Sequence, residues 1–185
     1  GVTGGSAGSA EEPGTGVTVR GGATEASFEG SRAVGNPGEE GIVRDTSDDS
    51  YEPGSRMAGG DCVHVPLRAA DFSVDWDRLS AAVTPRTRLI LVNSPHNPSG
   101  AVWSADDVSR LAALAEQHDL FVISDEVYEH IVFDGQRHES VLRSPSLAAR
   151  AFVVSSFGKT YHCPGWKVGD CIAPAALTVR FRKGH

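Results

Sequence analysis

The sequence predicts an α/β chain, a largely parallel sheet covered by helices. Three observations predict it: short β-branched runs recur along the chain, helical segments separate them, and several runs stop at polar residues. Seven runs read as strands: 16–20, 41–44, 62–67, 88–93, 120–124, 151–155 and 170–173. Three of them finish at Asn93–Ser94, Ser124–Asp125 and Ser155–Ser156. In open α/β sheets the ligand crevice lies beyond the carboxyl ends of the strands, so these polar groups are expected at one edge.

The helices follow from periodicity. Residues 105–117 carry Val108, Leu111, Leu114 and Ala115 on one face, with Ser104 as N-cap and Asp107 in the first turn. This segment is a crossover helix lying on the sheet. A shorter helix is expected over 75–83, where Leu79, Ala82 and Val83 form an apolar face and Pro85 stops it. Residues 25–34, with Gly30 internal and few apolar positions, predict a poor helix.

Composition narrows the functional classes. Residues 1–15 are dominated by Gly, Ser, Ala, Thr and Glu and cannot bury enough apolar surface to offset ordering entropy, so a flexible N-terminal tail is expected there. The remainder, 16–185, is read as one domain. With 24 acidic and 17 basic residues the formal charge is -7, which argues against general affinity for nucleic acid or anionic membranes. Cys62, Cys163 and Cys171 lack the short spacings of a zinc or redox motif, and His96, His130 and His162 lack the paired spacing of a metal site. No metal is expected, and the thiols are expected to be reduced. No apolar run is long enough to cross a bilayer, and Gly1 opens no charged-then-apolar signal; the expected location is the cytoplasm.

Chemistry concentrates in four short motifs. Ser155–Ser156–Phe157–Gly158–Lys159 places a candidate amine nucleophile and hydroxyls directly after a strand, with Gly165–Trp166–Lys167–Val168–Gly169 following. Asn97–Pro98–Ser99–Gly100 and Ser124–Asp125–Glu126–Val127–Tyr128 lie upstream, and Gly21–Gly22–Ala23–Thr24 follows the first strand. Each has a bland alternative: a solvated loop lysine, an ordinary turn, an N-capping aspartate, a strand-to-helix loop. Their joint order is what is specific. Trp76 stands among charges at a helix start, Trp103 and Trp166 are read as packing or loop-capping residues, and Glu126 as a surface or interface residue.

Together these motifs resemble the cofactor-binding core of the class I/II aminotransferases, which use pyridoxal 5'-phosphate (PLP) in the fold-type I architecture; kynurenine and methionine aminotransferases are the nearest in kind. The resemblance is strong from about Cys62 to Gly169. It implies a mostly parallel seven-stranded sheet with helices on both faces and an antiparallel last strand. It further implies that 16–185 is the cofactor-binding large domain, without the family's small domain. By resemblance Lys159 is the catalytic residue, joined to PLP as a Schiff base. Asp125 would pair with the protonated pyridine nitrogen, while Tyr128 and Asn97 would bond the ring's phenolic oxygen. Gly22, Ala23, Thr24, Ser156 and Lys167 would form the phosphate cup, with lysine at 167 where many relatives carry arginine. The implied reaction moves an amino group from an amino acid to a 2-oxo acid, in a family whose sites are completed across a homodimer.

The sequence also departs from the family's pattern. In Asp45–Thr46–Ser47–Asp48–Asp49–Ser50–Tyr51, Asp48 stands where relatives carry the aromatic that stacks on the ring, and Asp170 replaces a frequent aromatic. No residue matches the family's α-carboxylate arginine. A second reading therefore stands beside the enzyme: a catalytically inactive PLP-binding module, or one completed by a partner chain. A third assigns a nucleotide-type phosphate to the Gly22 turn, though no full dinucleotide fingerprint accompanies it.

Overall fold

The computed structural model describes residues 16–44, 60–160 and 168–183. The expected tail at 1–15, the Asp48 segment, and the positions of His162, Cys163, Trp166 and Lys167 lie outside the described residues.

In chain order the elements are β1 (Val17–Arg20), α1 (Ala23–Val34), β2 (Glu40–Arg44), β3 (Asp61–Val65), α2 (Trp76–Ala81), β4 (Thr87–Asn93), α3 (Ala105–His118) and β5 (Phe121–Asp125). A 3-10 turn (Val141–Arg143) then leads to α4 (Pro145–Ala148), β6 (Ala151–Ser156), α5 (Phe157–Thr160), β7 (Gly169–Ile172) and α6 (Ala175–Lys183). All seven strands join one sheet in the order β1-β7-β6-β5-β4-β2-β3. β7 runs antiparallel to both its neighbours, and the other observed pairings are parallel. The seven predicted strands are all present, displaced by a residue or two at their ends.

Both faces of the sheet are covered. Ile90, Val92, Val122 and Val153 pack with Leu79 of α2, Leu147 of α4, and Val108, Leu111, Leu114 and Ala115 of α3. Leu89, Leu91, Ile123, Phe152 and Val154 pack on the opposite side with Ala26 and Val34 of α1 and Leu177 of α6. Alternate residues of one strand thus enter different layers, which is why β4 reads as a continuous apolar run. Among the described residues no helix is long and apolar enough to cross a membrane.

α3 begins as its sequence requires. Ser104 Oγ accepts from the Asp107 N–H at 3.2 Å while the Asp107 carboxylate accepts from the Ser104 N–H at 2.9 Å, a reciprocal capping box. At the other end Asp119 adopts a left-handed conformation, φ 50°.

α1 corrects an expectation. Residues 25–34 predict a poor helix, yet the helix spans 12 residues. Gly30 is the reason: a Cβ there would meet Ile123 Cδ1 at 3.2 Å, so the missing side chain lets the helix axis approach the sheet. Helix propensity yields to tertiary packing at this position. Ser31 Oγ donates to the Ser27 carbonyl, and buried Glu29 pairs with Arg20, so the polar residues of this helix also find partners.

Candidate active site

The parallel strands deliver their carboxyl ends to one edge of the sheet. Asn93 closes β4 opposite Asp125 of β5, and Asp125 lies opposite Val154 of β6. Asn93, Asp125 and Ser156 continue the alternation of Leu91, Ile123 and Val154, whose side chains occupy the α1 layer. The amino end of α1 reaches the same edge through the chain reversal after Arg20.

That reversal is built on glycine. Gly22 has φ 136° and ψ 165°, backbone that residues with a Cβ seldom adopt, and it serves as the N-cap of α1 without a side-chain cap. The first intrahelical bond runs from the Ala26 N–H to the Gly22 carbonyl at 3.2 Å, so the N–H groups of Ala23, Thr24 and Glu25 precede any intrahelical acceptor. Glu25 folds back to accept from the Gly21 N–H at 2.7 Å. Beneath the turn, Gly169 pairs with Arg20 on one side and Ser156 on the other. A Cβ on Gly169 would lie 2.9 Å from both Ala23 N and Gly22 C, and 3.0 Å from Ser155 O. The Gly22–Ala23 turn therefore rests directly on the strand that carries it to Ser156.

Asp125 is buried, 6% exposed, and its Oδ1 accepts from the Val127 N–H at 3.1 Å. This bond folds the chain immediately after β5 and brings Tyr128 round. Lys159, exposed on the one-turn α5, lies with Nζ 5.3 Å from the Tyr128 ring centroid. Asn97 is exposed in the loop after β4, with its N–H bonded to Asn93 Oδ1 at 2.8 Å. The structure thus brings Lys159 to Tyr128, Asn97 to the end of β5 through Asn93, and Gly22 and Ala23 to the β6 edge through Gly169. Thr24 is exposed on the first turn of α1 and Ser156 is half-buried at the end of β6.

Several residues at this edge carry no advance signal in the sequence. Glu126, expected at the surface or an interface, is 2% exposed. Its Oε1 accepts from Ser124 Oγ at 2.9 Å and from the Val141 N–H at 3.1 Å, and its Oε2 lies 2.7 Å from His138 Nε2. The carboxylate is buried because it staples the loop after β5 to the 3-10 turn, and no periodicity reveals a pair 12 residues apart. Trp103 is also buried. It meets Trp76 edge to face at 5.8 Å and carries the buried Arg44 guanidinium 4.9 Å from its ring centroid. Trp76 is held by its Nε1 donating to Asp107 Oδ1 at 3.0 Å.

Burial shifts two groups toward their neutral forms. Burial, with the nearby Arg44 charge, lowers His96 to about 4, so its ring is uncharged at neutral pH; Nδ1 lies 2.7 Å from Ser99 Oγ. Asp170, 2% exposed, is pushed up mainly by burial and further by the Glu129 charge, against the Ser155 hydroxyl that donates to its Oδ1 at 2.8 Å. Burial also pushes the Cys171 thiol far up, which makes it inert.

The family profile "Aminotransferase class I and II" matches residues 3–184. A methionine aminotransferase of Escherichia coli is 48% identical over 169 residues, covering 91% of this chain and 44% of that protein. A probable N-succinyldiaminopimelate aminotransferase of Mycobacterium tuberculosis is 43% identical over 173 residues, and kynurenine–oxoglutarate transaminase 1 of Rattus norvegicus is 36% identical over 185. The crystal structure of the Escherichia coli protein superposes with a TM-score of 0.93 at 47% identity, covering 96% of this chain and 47% of that one. The chain therefore spans less than half the length of the relatives it matches. Its profile match runs almost from end to end, and the chain belongs to the class I and II aminotransferases, a family that works with PLP.

Proposed function

We propose that this chain is the cofactor-binding lobe of a PLP-dependent aminotransferase, which moves an amino group from an amino acid to a 2-oxo acid with Lys159 as the working amine. The observation that carries the reading is the edge itself. A helix N-terminus, a buried carboxyl and a lysine, from three separate stretches of sequence, are carried toward one edge of the sheet by the strand pairings and the Lys159–Tyr128 contact.

The donor set suits PLP. The N–H groups of Ala23, Thr24 and Glu25, which precede any intrahelical acceptor, offer a dianionic phosphate the positive end of α1, with the Thr24 and Ser156 hydroxyls beside them. Lys167 would add a cation to this cup. Gly169, which leaves no space for a Cβ under the turn, keeps Gly22 and Ala23 against the β6 edge. Asp125 would supply a carboxylate to hold a proton on the pyridine nitrogen, and Asn97 and Tyr128 would supply hydrogen bonds to the phenolic oxygen. Bound PLP supplies an electron sink for the bond broken at the substrate Cα. Lys159 Nζ would take the proton from that carbon and return it, which requires the amine to be mobile; its exposure on a one-turn helix meets this need. Relatives named for methionine and for kynurenine with oxoglutarate support an amino acid and a 2-oxo acid as substrates, with residues beyond this lobe choosing between them.

The test is simple because the sequence has lysine only at 159, 167 and 183. Incubation with PLP followed by borohydride should fix a pyridoxyl mass on the Lys159 peptide, and Lys159→Ala should remove it. Equal labelling of Lys167 and Lys183 in the wild type and in Lys159→Ala would overturn the reading. Labelling of Lys159 without any spectral response to added amino acids would instead establish the binding module completed by a partner chain, perceptible also as recovery of the response when the second half of a relative is supplied.

A further inference from the structure

Among the described residues the Asn93 side chain bonds only backbone groups, and they belong to two different candidate ring contacts. The residue is 4% exposed at the end of β4. Its Nδ2 donates to the Asp125 carbonyl at 3.0 Å, and its Oδ1 accepts from the Asn97 N–H at 2.8 Å. One partner is an acceptor and the other a donor, so the orientation of the carboxamide is fixed by chemistry. The Asn93 carbonyl in turn accepts from Arg44 Nη2 at 2.7 Å, under the same guanidinium that lies over Trp103. The Ser94 N–H joins the Asp125 carbonyl at 3.1 Å. A single buried amide therefore spans the end of β5 and the loop that carries Asn97.

We propose that Asn93 is a positioning residue for the cofactor ring, setting the distance between the Asp125 and Asn97 backbones so that both side chains meet one rigid pyridine at once. This inference rests on the reading of the edge as a PLP site. Its physical basis is geometric. Two contacts to one planar ring tolerate little change in their separation, and displacement of a contact group by about 1 Å is costly. An apolar residue at 93 would release the Asn97 N–H, which has no other acceptor among the described bonds, while the Ser94 bond to β5 would remain.

Two variants separate the two ties. Asn93→Ala removes both, whereas Asn93→Asp retains an acceptor for the Asn97 N–H and loses the donor to the Asp125 carbonyl. In the full chain without PLP, NMR amide exchange of Asn97 should quicken about tenfold or more in Asn93→Ala and stay near wild type in Asn93→Asp, as expected for loss of one partly buried hydrogen bond. PLP affinity, read by cofactor absorbance and circular dichroism, should fall about tenfold or more in both. In a double-mutant cycle, Asn93→Ala and Asn97→Ala should be coupled by at least about threefold in PLP dissociation constant, because one acts through the other. A residue that merely stabilises the fold would give additive effects.

Far-UV circular dichroism checks folding, and Asn93→Asp decides if Asn93→Ala does not fold. PLP affinity within twofold of wild type in a folded variant, or additivity in the cycle, overturns the proposal. Failure of the wild type to take up PLP overturns the proposed function instead. The exchange of the Asn97 amide then still decides whether Asn93 holds the loop, and unchanged exchange in Asn93→Ala overturns it.

Discussion

Asp170 is a buried carboxyl whose Oδ2 has no hydrogen-bond partner among the described residues, although Ser155 serves the other oxygen. Burial is the largest cause of its raised pKa, with the Glu129 charge adding to it. The sign of the pH effect follows from linkage. Below the ordinary carboxyl value, 3.8, the group is protonated in folded and unfolded chains alike and contributes no pH dependence. As pH rises through that value the unfolded chain ionises first, so stability falls until the folded group ionises as well. Asp170→Asn keeps the acceptor for Ser155 and removes the titration. Its stability relative to wild type should therefore be near zero at about pH 3 and favourable at neutral pH, measured by urea unfolding across that range. A difference independent of pH would show that Asp170 ionises normally. The sequence exposes this residue only as a substitution for an aromatic; its burial follows from its place on β7 between β1 and β6, and its shift is increased by the Glu129 charge from the loop after β5.

At the scale of elements, the legible parts were those governed by local chemistry. Ser104 and Asp107 announce α3, and Val, Ile and Leu runs announce β4, because capping and alternation act within a few residues. α1 is not legible locally for the opposite reason: Gly30 weakens the helix in isolation but is required by Ile123 and Phe152, which lie far along the chain. The candidate site divides in the same way. Its motifs were readable as motifs, while Asn93, the Glu126–His138 pair and the seat provided by Gly169 depend on contacts between distant strands. Gly169 and Gly30 should therefore respond differently to a methyl group. In Gly169→Ala the Cβ meets backbone on both sides at 2.9–3.0 Å, and rigid backbone must move. A loss of about 1–3 kcal/mol is expected, with weaker PLP retention because the Gly22–Ala23 turn is displaced. In Gly30→Ala the nearest atom is the flexible Ile123 Cδ1 at 3.2 Å, so the loss should be smaller. Equal losses in thermal melts of the two variants would mean that the turn does not rest on Gly169.

The whole molecule joins two apolar layers through one sheet. Leu111 of α3 lies in one layer and Phe152 of β6 in the other, both fully buried. Strands such as β4 send alternate residues into each layer, so neither layer can loosen without disturbing strands that the other needs. This predicts one cooperative transition for a chain that spans less than half the length of its relatives. Leu111→Ala should cost about 2–5 kcal/mol and Phe152→Ala about 3–5 kcal/mol. Trp76 and Trp103 report on the α3 layer alone, which makes the test direct once Trp166 is replaced by Phe. Far-UV circular dichroism and tryptophan fluorescence should give the same urea midpoint in each variant, even when the mutation lies in the layer without tryptophan. A Phe152→Ala chain whose circular dichroism midpoint falls while its fluorescence midpoint stays at the parent value would show that the layers unfold separately. The edge to which the strands carry Gly22 and Asp125 would then lack a single rigid support, because α1 belongs to one layer and the loop carrying Tyr128 is stapled by Glu126 to the other.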